Sequence, residues 1–321
     1  MRILLVISVA FLSLLSCNKK DNTIILAKST TSINHLTIVI DNDLWKGSVG
    51  DSLREIIAAP VLGLPQEENQ FSVTQIPPKT FGRIFKTSRN LLFIGVENNE
   101  GYVVKKDIYA APQIAMTIIG KDKTALIEEI NEHKKEIISV FKDGDLKLSQ
   151  RRFRKDRWNI DSIKTLNNLG VKLTIPDKYA LVDDTGDFLW FRQSISKGSM
   201  NIIAYQMPLT EIDSVVNNIV AARDTIGKKY IPGSSEGMYM ITEAAYTPFT
   251  KETQLSGKPS FETRGKWEVK NDFMAGPFLN YTVVDKANNR LLVIEGFTYA
   301  PSINKRDFMF ELEAILKTLK I

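Results

Sequence analysis

Cysteine is nearly absent from this chain: Cys17 is the only one in 321 residues. A lone thiol closes no intrachain disulfide and builds no cysteine zinc site, so the fold must rest on packing alone. Histidine is almost as scarce. His35 and His133 are the only imidazoles, too few for a histidine-rich metal site, and nothing after His133 can serve as an imidazole base. Beyond Leu15 no apolar run approaches the roughly 20 residues that a membrane-spanning helix needs. No G-x-x-x-x-G-K-[ST] and no strand-linked G-x-G-x-x-G occurs either, so nucleotide phosphates have no motif-built cradle.

What the chain does have begins at its first residues. Arg2 supplies a positive start, Ile3 to Leu15 form a short apolar core, and Leu14-Leu15-Ser16-Cys17 ends it with the pattern at which bacterial lipoproteins are lipidated and cut. Residues 1–16 read as a lipoprotein signal peptide, with Cys17 as lipid anchor. Residues 17–35, mostly polar and without a sustained period, read as a lipidated tether. This places the protein in the cell envelope, held to the membrane through its N-terminal lipid and expected at the outer membrane facing the periplasm.

Net charge is +5, but it is unevenly spread. Residues 18–141 carry 15 Lys/Arg and 15 Asp/Glu, and residues 166–321 carry 18 of each. The excess sits in residues 142–165, with 8 basic against 4 acidic side chains. A nucleic-acid binder would spread its charge over a whole face, so no nucleic-acid partner is expected. The chain divides accordingly into a first domain over 36–141, a basic linker over 142–165 and a second domain over 166–321.

Both domains read as α+β, two consecutive units of sheet plus helix. In the first, alternation predicts strands at 36–40, 71–76, 91–96 and 113–119, with a helix after Gly50-Asp51. A long helix carries Leu126, Ile130, Ile137 and Phe141 on one stripe and is expected to end at Gly144. In the second, strands are predicted at 171–175, 188–192, 202–207, 279–284 and 291–298, with helices from Ile212 and through Phe308 to Leu319. Each unit closes with strand then helix, which leaves a remote duplication open. The second unit is loosely similar to a PsbP/Mog1-like sandwich.

No catalytic constellation emerges. Gly233-Ser234-Ser235-Glu236-Gly237 fits G-x-S-x-G, yet Pro232 precedes it and no histidine follows, so Ser235 lacks a base and the segment reads as a turn. Asp183 to Asp187 lacks the alternating ligands of a calcium loop. No metal and no cofactor is expected. Two clusters remain as binding candidates. Arg151, Arg152, Arg154 and Arg157 beside Trp158 form a basic patch suited to an acidic envelope partner or anionic headgroups. Arg264, Trp267 and Glu295 form a candidate pocket, and an enzyme built on Glu262, Arg264 and Glu295 is the alternative.

Several further stretches go together: Ile231-Pro232-Gly233, Glu262-Thr263-Arg264-Gly265-Lys266-Trp267, Met274-Ala275-Gly276-Pro277-Phe278 and Glu295-Gly296-Phe297-Thr298-Tyr299-Ala300-Pro301 with Lys305-Arg306. With Leu64-Pro65-Gln66-Glu67, Arg89-Asn90 and Ala111-Pro112-Gln113, the chain resembles the Bacteroidota lipoproteins called domain of unknown function 4837. The resemblance implies a lipid-anchored envelope protein and brings no catalytic residue with it. The expectation is a non-enzymatic binding or assembly factor with an envelope partner. Cys17→Ser should leave an uncleaved precursor without acyl chains, read by intact mass. Normal processing and acylation of that variant would refute the anchor.

Overall fold

The structure is a computed structural model that describes residues 25–209 and 212–321, with the backbone alone at 212–214. The signal segment and Cys17 lie outside the described residues.

The first unit is a five-stranded sheet with helices on one face. After β1 (Ala27–Lys28) come β2 (His35–Val39), α1 (Asn42–Lys46), α2 (Ser48–Ile57), β3 (Ser72–Ile76) and the short α3 (Arg83–Lys86). β4 (Asn90–Val96), β5 (Gly101–Lys106), β6 (Ala110–Ala111), β7 (Ile114–Gly120), α4 (Lys123–Glu132) and α5 (Lys134–Phe153) complete it. The sheet order is β3-β2-β4-β7-β5, parallel except for the antiparallel edge strand β5. Leu36, Ile38, Leu92, Ile94, Met116 and Ile118 share one face by their alternation. There they meet Leu53 and Ile57 of α2, Leu126 and Ile130 of α4, and Ile137 and Phe141 of α5 in one core. On the other face Phe93 packs edge-on against Phe81, which also meets Tyr109.

The second unit is a largely antiparallel sheet with helices on both faces. Its elements are α6 (Lys164–Leu169), β8 (Ala180–Asp184), β9 (Phe188–Ile195), β10 (Gly198–Pro208), α7 (Ile212–Tyr230), β11 (Met240–Thr242) and β12 (Phe249–Leu255). β13 (Lys258–Val269), β14 (Ala275–Asp285), β15 (Arg290–Tyr299) and α8 (Arg306–Leu316) follow. The order is β11-β13-β14-β15-β10-β9-β8, with β12 also on β13. Leu189, Phe191, Leu279 and Tyr281 face α6 and α8, whereas Phe188, Trp190, Phe278 and Phe297 form the core on the opposite face, toward α7. The aromatic run 188–191 thus divides its side chains between the two faces of one strand.

The α+β class holds, but several sequence expectations change. The two units do not repeat one topology: the first sheet is mostly parallel and the second antiparallel. Residues 171–175 alternate in burial yet form only an isolated bridge, Lys172 to Lys320, because the segment lies over α8's end and outside the sheet. Gly276-Pro277 lies inside β14, where a Cβ on Gly276 would sit 1.9 Å from the Thr298 carbonyl oxygen.

The tether and the linker are both corrected. Residues 27–35 are woven into the fold: β1 pairs with β6, Thr30 bridges Ser88, and Asn34 is fully buried. Residues 142–153 are no linker, because they form the second half of α5, with Asp145, Leu146, Leu148 and Ser149 buried. Gly144 does not end the long helix. The helical stripe breaks at His133, and α5 runs on past Gly144 because that glycine lets it lie on β7: a Cβ there would come within 2.2 Å of Ile114 Cδ1.

The two units are joined by packing and hydrogen bonds. Leu146 of α5 packs with Phe310 and Ala314 of α8, and Gln150 donates to the Ala314 carbonyl at 3.1 Å. The Glu68 carboxylate, from the loop between α2 and β3, accepts from the Lys305 and Arg306 amides at 2.6 and 2.9 Å. It therefore satisfies amide donors that have no partner within the helix at the start of α8, and its negative charge opposes the positive end of the helix dipole. Glu68→Ala should lower stability by about 1–3 kcal/mol, since a buried cap is lost and amide donors are left without partners. Urea unfolding checks this; an unchanged midpoint would mean the cap contributes nothing.

Candidate functional site

The sequence-predicted pocket does not assemble. β13 alternates its side chains, so even-numbered Arg264 and odd-numbered Trp267 project to opposite faces of the sheet. Glu295 pairs in register with Asn280 and lies on the α7 face, where Arg223 of α7 binds it through Nε at 3.0 Å to both carboxylate oxygens. The Arg223 guanidinium also stacks over Phe278 at 4.0 Å and donates to Thr242. Trp267 packs in the same apolar core and donates to the Thr298 carbonyl. Sequence reasoning missed Arg223, whose signal is a charged residue on the buried stripe of an amphipathic helix.

Arg264 instead forms an ion-pair relay on the α8 face. Its Nε binds Glu262 at 2.7 Å and its Nη2 binds Glu313 of α8 at 2.8 Å. Lys317 reaches Glu313 at 2.7 Å, and Lys251 approaches Glu262 at 3.3 Å. The backbone crowds this group from the side, because Gly63, at φ +83°, would place a Cβ 2.7 Å from Arg264 Cβ. Burial alone would raise the Glu313 carboxyl, but Arg264 and Lys317 overcome it and hold it down at about 2. Burial is likewise outweighed at Glu262, which Arg264 keeps below the usual carboxylate range. The Glu262, Arg264 and Glu295 enzyme site is therefore split, and two of its members are locked in a relay that keeps carboxylates ionised.

The basic patch is also redistributed. Arg151, Arg152, Arg154 and Arg157 are exposed, but Trp158 turns away from them, donates to the Tyr179 carbonyl and packs edge-on against Phe191 in the second unit's core. Arg151 and Arg154 border a cleft of about 620 Å³ in the first unit. The cleft lies where β4 and β7 begin and β5 ends, roofed by the second half of α5. Val104, Ile114, Val140 and Leu148 give it apolar walls, and Lys106 and Lys147 join the arginines at its border.

Arg89 and Asn90 also line this cleft. Asp145, fully buried, accepts from Arg89 Nε at 2.7 Å, from the Asn34 amide at 2.7 Å and from Asn90 Nδ2 at 3.2 Å. That holds the Arg89 guanidinium through Nε alone. Buried Arg89 Nη2 and Asn90 Oδ1 have no hydrogen-bond partner, two of only four such atoms among the described residues. Buried polar groups are nearly always paired, so Arg89 Nη2 and Asn90 Oδ1 hold hydrogen-bonding capacity that the described residues leave unused. The residue pair Arg89-Asn90 stands in the sequence resemblance, but nothing in the sequence shows that it meets α5.

The Arg264 relay gives a pH prediction. Glu313 has a folded-state pKa lowered to about 2, below its value of about 4.3 in an unfolded chain. Its contribution to stability is full above the unfolded value and is lost as pH falls through the folded one. Stability should therefore fall from about pH 5 downward, and Glu313→Gln should flatten that acid limb while lowering stability at pH 7. Urea midpoints measured from pH 7 to pH 3 test this; parallel curves for the two proteins would assign the limb elsewhere.

The comparisons with known proteins divide the chain at the same joint as the structure. A family described as domain of unknown function (DUF8532) matches residues 29–154, which hold the cleft. No curated protein matches the chain. Among solved structures, LpqN of Mycobacterium tuberculosis, described as involved in cell envelope biogenesis, is 13% identical. The match covers 47% of this chain and 82% of that one, with a TM-score of 0.30. A STAR-related lipid transfer protein from Xanthomonas axonopodis is 10% identical over 44% of this chain and 96% of its own, with a TM-score of 0.24. Human StAR-related lipid transfer protein 5 is also 10% identical, over 44% and 86%, with a TM-score of 0.24. Residues 158–318, half of the chain and the whole of the antiparallel sheet with its helices, match the family described as domain of unknown function (DUF4837), and the protein belongs to that family.

Proposed function

We propose that this protein is a non-enzymatic binding or assembly factor of the cell envelope, anchored through a lipid on Cys17 and facing the periplasm from the outer membrane. Its binding site is the cleft roofed by α5. The observation that carries this reading is the pairing of a cleft of about 620 Å³ with two orphaned buried polar atoms on its lining residues. Ligand sites are concave and combine apolar surface with placed polar groups; this cleft sets the apolar walls of Val104, Ile114, Val140 and Leu148 beneath a rim rich in charged side chains.

The charged groups elsewhere support binding over catalysis. A general acid near neutral pH needs a raised carboxyl pKa, whereas Glu262 and Glu313 are held low by Arg264. The joint supports a rigid carrier of the site. α5 roofs the cleft and also packs against α8, so a ligand at the cleft sits on the element that fixes one unit to the other.

Native mass spectrometry of protein extracted gently from its own envelope tests the reading. The wild type should carry a small-molecule adduct in a substantial fraction of molecules. The double variant Lys147→Gln with Arg151→Gln, both exposed positions, should stay folded, with a melting temperature lowered only slightly by the lost helix-end charge, and lose the adduct. Adduct-free wild type, or an adduct indifferent to the double variant, would overturn the assignment to this cleft.

A further inference from the structure

The charge around the cleft identifies the chemistry of what it takes. We infer that the cleft binds a phosphate group carried on an organic ligand, an inference that rests on the binding reading above. Five cations line the cleft, Arg89, Lys106, Lys147, Arg151 and Arg154, against two carboxylates, Asp107 and Asp143. Asp107 accepts from the Gln113 amide at 2.7 Å and keeps its charge, and Arg89 is paired with buried Asp145, so the other four cations face two carboxylates and leave a positive excess. The cations approach from different elements: Lys106 ends β5, Lys147 and Arg151 lie one helical turn apart on α5, and Arg89 immediately precedes β4.

A single carboxylate is satisfied by one arginine fork. A phosphate monoester, with a charge near −2 and three acceptor oxygens, can engage several cations arriving from separate directions. Arg89 is the interior member of the set. Asp145 holds it through Nε, which fixes the plane of the guanidinium, and its Nη2 lacks a partner. A guanidinium so fixed loses little freedom on binding an oxyanion. Asn90 Oδ1, the second orphan, accepts and cannot bind phosphate oxygen, so it calls for a hydroxyl or N–H donor on the same ligand. Val104, Ile114, Val140 and Leu148 then receive an apolar portion. The ligand class is a phosphate ester with a donor group and an apolar substituent, either a soluble metabolite or the headgroup of an anionic lipid.

Purified protein titrated with octyl phosphate, octanol and inorganic phosphate, followed by calorimetry, tests the inference. Octyl phosphate should bind at least about tenfold more tightly than octanol, and rising salt should weaken it. Because Arg89 pairs with buried Asp145 and its replacement can unfold the unit, the test variant is Lys106→Gln with Lys147→Gln and Arg151→Gln, all exposed. That variant should stay folded, with a melting temperature lowered only slightly by the lost Arg151 charge at the helix end, and lose the preference for octyl phosphate over octanol. Equal binding of octyl phosphate and octanol, absence of binding by both, or an unchanged preference in the triple variant would overturn phosphate recognition. Vesicles separate the two sources. Sedimentation with phosphatidic acid but not phosphatidylcholine vesicles, reversed by octyl phosphate, supports a lipid headgroup; octyl phosphate binding without vesicle binding supports a soluble ester. A native adduct that contains no phosphorus would sink this inference and leave the binding reading standing, whereas adduct-free protein that also ignores octyl phosphate removes both.

Discussion

The Asp145 carboxylate is the constraint on which the arrangement of the first unit depends. It is fully buried in the middle of α5 and accepts three hydrogen bonds from two separate segments: the Asn34 amide before β2, and Arg89 with Asn90 where β4 begins. A buried charge is tolerable only when paired and fully hydrogen-bonded, so these segments must converge wherever α5 places that carboxylate. The consequences spread in both directions. Asn34 is drawn inward, which turns the N-terminal segment from a tether into part of the fold, and its Nδ2 reaches Asp307 at the start of α8. Lys142, one turn before Asp145, donates to Asn34 Oδ1 and the Gln70 carbonyl; burial, the largest influence, and nearby Arg306 lower its pKa to about 8. One helix therefore seals the first core, anchors the N-terminal segment and presents Leu146 to the second unit.

The second unit handles its buried charges by separating them. Arg223 and Glu295 pair on the α7 face, while Glu262, Arg264 and Glu313 pair on the α8 face, and the sheet lies between. β14 and β15 are buried along nearly their whole length, so each ionised group must find its partner on its own side. Each does. Asn280 donates to Glu295 Oε2 and Tyr281 donates to Glu262 Oε2, so neighbouring residues of β14 serve opposite faces. This alternation leaves Arg264 and Glu295 unable to share a pocket, and it accounts for polar residues at positions where a strand buried on both faces would ordinarily be apolar.

Much of the fold is legible in the sequence where burial is one-sided or complete. The runs 36–40, 91–96 and 291–298 read as strands because their apolar character is unbroken or alternates cleanly, and the terminal helix reads from Phe308, Leu312 and Ile315. β5 escapes because an edge strand with mostly exposed residues carries little periodic signal, and β13 escapes because its α8 face holds Glu262, Arg264, Lys266 and Glu268 in place of apolar residues. The extent of α5 is hidden for a related reason. Beyond Phe141 the helix buries Asp145 and Ser149 alongside Leu146 and Leu148, so its inward face stops looking hydrophobic, and Gly144 imitates a stop where it in fact permits close contact with Ile114. Of the site, the sequence offers Arg151 and Arg154 as charges and Arg89-Asn90 as a motif. It cannot show that these converge, since their meeting depends on α5 continuing for another three turns.

The cleft's position in the sheet explains why it is built from side chains. Open parallel sheets generally bind ligands beyond the carboxyl ends of their strands, where loops and helix starts supply backbone donors. This cleft lies at the opposite edge, where β4 and β7 begin, and receives no helix start from them. Cationic character there must come from long side chains, and α5 provides it because its last turns project Lys147 and Arg151 over the strand ends. The helix dipole strengthens the case: the C-terminal end of α5 is its negative end, and Arg151, Arg152 and Arg154 offset that charge. Cations that stabilise the end of the helix are thereby held beside a guanidinium fixed by Asp145, so the constraint that shapes the first unit also leaves its unspent hydrogen-bonding capacity at the cleft.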